Sequence, residues 1–251
     1  AEKFVADKVD LVFLTTNNAA LAARQATDGT DVPVIFTFVI APAKTGVVES
    51  IAQPGGNMTG VLNPLDVFIG KRVEFMLKMD PTAIRLWVPY NPAYPTVTAV
   101  LEELHAVVSL LGIELIETEI DAPADVPAAL AEFDEAGEPA FDAIIIFPDL
   151  TVQEPVAWEA ILDYANRHSL PILANTPPQV EAGALFGYFS DNVVTGKQAA
   201  RLADQILRGT AAGELPVETA EQFLTVNLKV ANAFGLELSD DILRQATRVI
   251  R

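Results

Sequence analysis

Pro54-Gly55-Gly56-Asn57-Met58-Thr59-Gly60-Val61 separates two series of strand–helix units. Gly55, Gly56 and Gly60 allow backbone angles that residues with a Cβ resist. Met58–Leu62 is short and mixed enough to be a single strand threading between two lobes. A surface loop between neighbouring units of one sheet is the other reading of these eight residues.

Working back from this point, Val34–Val39 and Asp10–Thr15 have the apolar pattern of buried strands. Asn17–Thr27 lies between them as a helix, and Thr45–Ala52 is expected to be a short one. Working forward, helices are predicted over Asp66–Met79, Pro95–Leu111, Asp125–Ala136, Pro155–His168 and Val193–Arg208 from apolar residues at helical spacing. Gly112 and Gly209 stand where helices end, and Asp125 and either Ser190 or Asp191 where they begin. Strands are predicted over Ile84–Tyr90, Ile113–Ile120, Ala143–Phe147, Pro171–Ala174 and Phe223–Leu228. Ala184–Phe189 is a second crossing segment, and Asp240–Ile250 a closing helix. Such alternation predicts an α/β fold of doubly wound parallel sheets.

With 34 acidic and 16 basic residues the net charge is −18. A nucleic-acid surface needs a basic face, so no nucleic acid is expected as partner. No cysteine is present, which removes disulfides, thiolate metal sites and cysteine nucleophiles. The phosphate-loop, dinucleotide, serine-hydrolase and zinc-protease patterns are all missing. Of Glu102, Glu103 and His105, only Glu102 and His105 share a helical face; neither a metal nor a cofactor is expected. His168 closes a helix. No nucleophile, base and orienter come together, so the sequence reads as a binder rather than an enzyme.

In open α/β sheets, ligands lie beyond the carboxyl ends of the strands. Those ends carry Thr15-Thr16-Asn17-Asn18, entering a helix whose amides are either capped or open to an anion. They also carry Phe38, Asn63, Tyr90-Asn91, Tyr94, Phe147, Asp149, Thr151 and Thr176, with Tyr188 on the second crossing. Asp149 is either a helix cap or the partner of a ligand ammonium. In the second role it would be dispensable for stability without ligand. The mixture of amides, hydroxyls, one carboxylate and aromatic rings suits a small zwitterion with an apolar side chain.

Several segments, in order, carry a family likeness: VDLVFLTTNNAALAA, PVIFTFVIAP, PGGNMTGVLNP, GKRVEFMLKMDP, YNPAYP, FPDLTV, EAGALFGY and GKQAARLADQILRGTAAGELPVE. The chain resembles ABC-transporter substrate-binding proteins of the kind linked to tryptophan and other aromatic amino-acid uptake. The resemblance implies a type I periplasmic-binding fold: two α/β lobes, three crossings, and an amino-acid-like ligand in the cleft. Lobe one would hold 1–61 with 189–213, and lobe two 62–188 with 214–251. It also implies an extracytoplasmic location, periplasmic or lipid-anchored, an ABC permease as partner, and hinge motion eased by the crossing glycines. By position, Thr15, Thr16 and Asn17 match the family's first ligand loop, and Asp149 and Thr151 its second. Leu150 and Ala41 stand where the family has polar residues. Family members carry a further strand, helix and strand ahead of Ala1. On that comparison the Asp10–Thr15 strand has an open edge, and the chain is expected either to dimerise or aggregate through lobe one or to have lobe one less ordered than lobe two. A ligand-sensing domain of a regulator or receptor on the same fold is the alternative function.

Overall fold

The computed structural model describes residues 1–135 and 139–251. In chain order the elements are α1 (Glu2–Ala6), β1 (Val12–Thr15), α2 (Asn17–Thr27), β2 (Val34–Ile40), β3 (Met58–Asn63), α3 (Leu65–Met79), β4 (Arg85–Tyr90) and α4 (Pro95–Leu111). There follow β5 (Glu114–Glu119), α5 (Val126–Glu135), β6 (Ala143–Ile145), α6 (Leu150–Gln153), α7 (Pro155–His168), β7 (Ile172–Ala174) and α8 (Pro177–Ala182). The chain continues with β8 (Phe186–Ser190), α9 (Asn192–Leu207), β9 (Glu218–Thr219), β10 (Gln222–Asn227), α10 (Leu228–Ala233), α11 (Asp240–Gln245) and β11 (Arg248–Ile250). Two compact units form. One holds Ala1–Asp66 with Ser190–Gln222, the other Val67–Phe189 with Phe223–Arg251.

The first unit has a four-stranded sheet in the order β1-β2-β3-β9, with parallel pairing throughout. Successive residues of a strand face opposite sides, so both faces need cover. Val34 and Phe36 pack with Ala20 and Ala23 of α2, while Ile35 packs with Ala199, Leu202 and Ile206 of α9. The glycine-rich octapeptide is thus no waist. Met58–Asn63 is an interior strand of this sheet, and the chain leaves the unit only after Asp66. Its glycines serve different ends. Gly55 and Gly56 turn at φ 72° and 55°, as only glycine does readily. Gly60 provides room: a Cβ there would stand 2.2 Å from the Phe36 carbonyl oxygen.

The Leu215-Pro216-Val217-Glu218 segment packs on the same strand. Gly55 N–H donates to the Gly213 carbonyl at 3.3 Å, and the Thr59 hydroxyl to that of Leu215 at 2.8 Å. The glycine-rich octapeptide and this segment are therefore neighbours in space, 156 residues apart in the chain at the Thr59–Leu215 bond.

The second unit has a seven-stranded sheet, β11-β10-β8-β7-β6-β4-β5. Trp87 of β4 lies at its core, stacked on Phe141 at 5.2 Å and donating its indole N–H to Thr118 at 2.9 Å. On α3, Phe68 and Phe75 set their rings edge-on to Tyr188 of β8 at 5.9 and 5.3 Å. Asp142 ties the start of β6 to that of β4, accepting from the Arg85 guanidinium at 2.5 Å and from the Ile84 and Arg85 amides at 3.1 and 2.9 Å. Burial raises the pKa of this carboxyl, but the Arg85 bonds outweigh it and hold the net value below the ordinary one. The linkage sign follows: its contribution is present above the unfolded-state pKa and is lost as pH falls through the lower folded value. Asp142→Asn should remove on the order of 1–2 kcal/mol at neutral pH, and progressively less as the pH falls below the ordinary carboxylate range. A loss in urea unfolding that does not shrink as the pH is lowered would refute this linkage.

Several expected elements differ. Thr45–Ala52 is a run of turns, not a helix, because Gly46 at φ 77° breaks it and adjacent Val47 and Val48 are both buried. Asp125 does not cap α5. It lies within a 3-10 turn, Pro123–Asp125, and its carboxylate returns to the Ala122 amide at 2.9 Å. The expected end of that helix at Ala136 lies outside the described residues. Beyond the nominal end of β6, Phe147 leaves the ladder although the apolar run continues. The closing helix stops at Gln245, and the stretch Thr247–Ile250, β-branched at Thr247, Val249 and Ile250, turns into β11 on β10 instead. Phe223–Leu228 is therefore not the last strand. Segments Leu62–Asp66 and 214–222 lie in the first unit.

Candidate functional site

The expected site residues fall into groups, described within each unit. In the first unit, β1 and β2 end side by side, with Thr15 opposite Thr37 and Asn63 opposite Ile40. Here the backbone leaves ordinary geometry three times: Thr16 at φ 78°, Phe38 at 55° and Ala41 at 46°. Phe38 is the extra residue of a bulge, since the β2–β3 register shifts between Thr37 and Val39. Left-handed conformations at non-glycine residues cost about 1–3 kcal/mol each and gather at functional sites.

Asn17 locks these ends together. It is buried, donating to the Ile40 carbonyl at 2.8 Å and accepting from the Ile40 amide at 2.9 Å. Its side chain is thus consumed by the fold. Thr16, at the N-cap of α2, makes no side-chain cap bond, and Thr15, Thr16 and Asn18 are exposed. The first turn of this 11-residue helix keeps its amides uncapped by side chains, at the positive end of the helix dipole.

In the second unit the ends of β4 and β6 are joined through Asp149. This carboxylate is wholly buried, accepting from the Asn91 amide at 2.5 Å and from the Thr151 amide at 2.8 Å. Of the two roles open in the sequence, the cap of α6 is the one observed. These two buried bonds argue against the expectation that Asp149 is dispensable for stability without ligand. Asn91 also donates from its side chain to Thr151 Oγ1 at 3.1 Å. Tyr94 is half-buried beside this group, and burial, followed by the negative charge of Asp149, raises its phenol pKa. Phe147 is fully buried, and its carbonyl accepts from Gln153 at 3.0 Å.

Thr176 begins α8 after β7. Its amide and that of Asn175 donate to Gln179 Oε1 at 3.1 and 2.9 Å. Sequence reading missed Gln179; the T-P-P-Q spacing of a capping box was the signal for it. Tyr188 is half-buried, on the α3 face of β8.

Tyr90 faces elsewhere. It lines an opening of about 190 Å³ with Pro92, Val97, Leu101 and His105 on the α4 side. Its hydroxyl donates to Glu117 at 3.1 Å; burial first, then this bond, pushes its pKa up to about 12. His105 pairs with the other oxygen of Glu117 at 2.7 Å, and His168 with Asp134 at 3.0 Å. Both histidines are engaged with carboxylates at the surface. Among the described residues no group of three or more His, Asp or Glu side chains could hold a metal ion, and no helix is long and apolar enough to cross a membrane.

Comparison with known proteins gives a consistent set of relatives. The sequence profile described as ABC transporter substrate binding protein matches residues 1–250. A tyrosine-binding protein of Clostridioides difficile (strain R20291) is 30% identical over 222 residues, 88% of this chain and 61% of that protein. The chain thus spans about three fifths of the length of this curated relative. Among solved structures, a conserved domain protein from Vibrio cholerae O1 biovar eltor has a TM-score of 0.84 at 28% identity, covering 99% of this chain and 81% of that one. An ABC domain in complex with L-Trp from Streptococcus pneumonia has a TM-score of 0.86 at 23% identity with the same coverage, a likeness that speaks for the fold.

Proposed function

Because the chain belongs to the ABC transporter substrate-binding protein family, we propose that it binds an amino acid outside the cytoplasm and delivers it to an ABC permease without chemical change. The observation that carries this reading is a family match running through both units, 1–250, rather than through one. An aromatic amino acid is the favoured solute, since a 30% identical relative is a tyrosine-binding protein. Half-buried rings at Phe38, Tyr94 and Tyr188 suit an apolar side chain of that kind.

In this reading the solute carboxylate is received by the first-turn amides of α2 from Asn17 onward, where no side chain competes, beside the exposed Thr15 and Thr16 hydroxyls; the Thr16 amide itself already donates to the Thr37 carbonyl at 3.2 Å. The polar candidates in the second unit are Thr151, held by Asn91, and Thr176; in the first unit the Asn63 strand end is a further one. Asp149 holds Asn91 and Thr151 in place and acts on the solute through them. Phe147, being enclosed, acts only as support.

Calorimetric titration with tyrosine, tryptophan, phenylalanine and leucine, with mass spectrometry of solute released on denaturation, tests the proposal. Micromolar or tighter binding of at least one aromatic amino acid, recovered unaltered, is the expected result. No heat with any of the four, together with a released solute that is not an amino acid, would overturn the ligand class. Recovery of a converted product would overturn binding without turnover.

A further inference from the structure

Arg72 is the strongest electrostatic anomaly in the second unit. It lies on α3 between Phe68 and Phe75, four residues after one and three before the other, so all three share a helical face. The residue is 0% exposed. One guanidinium nitrogen donates to the Ala174 carbonyl at the end of β7, at 2.8 Å. The Nε and Nη1 groups, also buried, have no acceptor among the described residues. Burial alone moves the pKa, down to about 9, and the group remains charged at neutral pH.

A buried charge with no partner is destabilising by several kcal/mol, and proteins rarely keep one without compensation. Its neighbours do not supply that compensation. Glu74, the nearest carboxylate along α3, is engaged by Lys71 and Lys78 at 3.0 and 2.8 Å. The carbonyl of Ala174 is neutral. The amides that follow it, Asn175 and Thr176, are donors and already bond to Gln179. Water could satisfy the spare N–H groups but would leave the charge standing. Arg72 is fully buried, so any partner of its spare N–H groups is enclosed with it.

We propose that Arg72 holds a monovalent, halide-sized anion inside the second unit, bonded to the Nε and Nη1 hydrogens. The anion neutralises the guanidinium and fastens α3 to the end of β7. Arg72 is not among the groups proposed above to receive the solute carboxylate, although the β7 end it bonds leads into Thr176, and the test of this anion site needs no amino acid.

Thermal unfolding of the intact chain in chloride and in gluconate, at matched ionic strength, is the first measurement. Chloride should raise the melting temperature in a saturating manner, by roughly 5–10 °C at a hundredfold excess over its Kd. Arg72→Met should remove the difference between the two salts, whatever its own stability. Should Arg72→Met fail to fold, crystals grown in bromide provide the second measurement, an anomalous peak within hydrogen-bond distance of the Arg72 guanidinium. Equal melting temperatures of the parent in chloride and gluconate would overturn the proposal. So would bromide crystals with no peak there, which would assign the spare donors to water.

Discussion

Gly60→Val is expected to unfold the first unit. A Cβ at this position would stand 2.2 Å from the backbone oxygen of Phe36 and 2.6 Å from its ring. The oxygen belongs to β2, paired to β3 along its length, so it cannot retreat without breaking the ladder. Overpacking ordinarily costs about 1–3 kcal/mol, and a clash with backbone belongs at or above the upper end. We expect a loss of roughly 3 kcal/mol or more, read as a lower urea midpoint by circular dichroism. Gly196→Ala is the matched control. Nothing lies within 4 Å of the Cβ it would add, and the site is inside α9. That substitution should stabilise by about 0.5–1 kcal/mol. Parent-like stability of Gly60→Val would mean that β2 and β3 do not pack as described. The position had looked like a hinge from its glycine alone; its backbone is outside the left-handed region, so close approach is the reason for glycine.

Asp149→Ala is expected to lower the melting temperature of the ligand-free protein substantially. The substitution strips two buried amides, of Asn91 and Thr151, of a charged acceptor and removes the cap of α6. Hydrogen bonds to charged groups contribute about 1.5–3 kcal/mol each, and orphaned buried donors add their desolvation cost. A loss near 3 kcal/mol corresponds to roughly 6–12 °C in a chain of this size. Asp149→Asn should lose less, since its one carbonyl oxygen can still accept. Calorimetric scans without ligand decide the matter. An unchanged melting temperature for Asp149→Ala would return this carboxylate to a purely ligand-binding role.

Much of the architecture was legible because long periodic segments dominate it. Pro95–Leu111 was read to the residue, and of the two caps expected for α9, Ser190 or Asp191, it is Asp191 that serves, accepting from the Val193 and Val194 amides at 2.8 and 2.9 Å. Short elements without periodicity escaped: α6, α8, α10, β9 and β11 have two to six residues each, too few to show a pattern. At the candidate site, residue types were legible but their engagements were not. Asn17 and Asp149 read as available polar groups, yet both are tied to partners distant in sequence, Ile40 and Asn91. Arg72 drew no notice, since its helical spacing places it among apolar residues and nothing local reports an unmatched charge.

The strand order of the second sheet has a consequence for synthesis and for dissection. β10 lies beside β8, with β11 beyond it, but both come from residue 222 onward, separated from β8 by the segment of the first unit that ends at Gln222. On the ribosome, β8 therefore has a bare edge until a whole segment of the other unit and then β10 have emerged. Such an edge is a template for mispairing with other chains, a hazard of late-closing sheets. A fragment cut as 67–189 would retain that edge permanently and should aggregate. A soluble second unit requires 223–251 to be joined back on through a short linker.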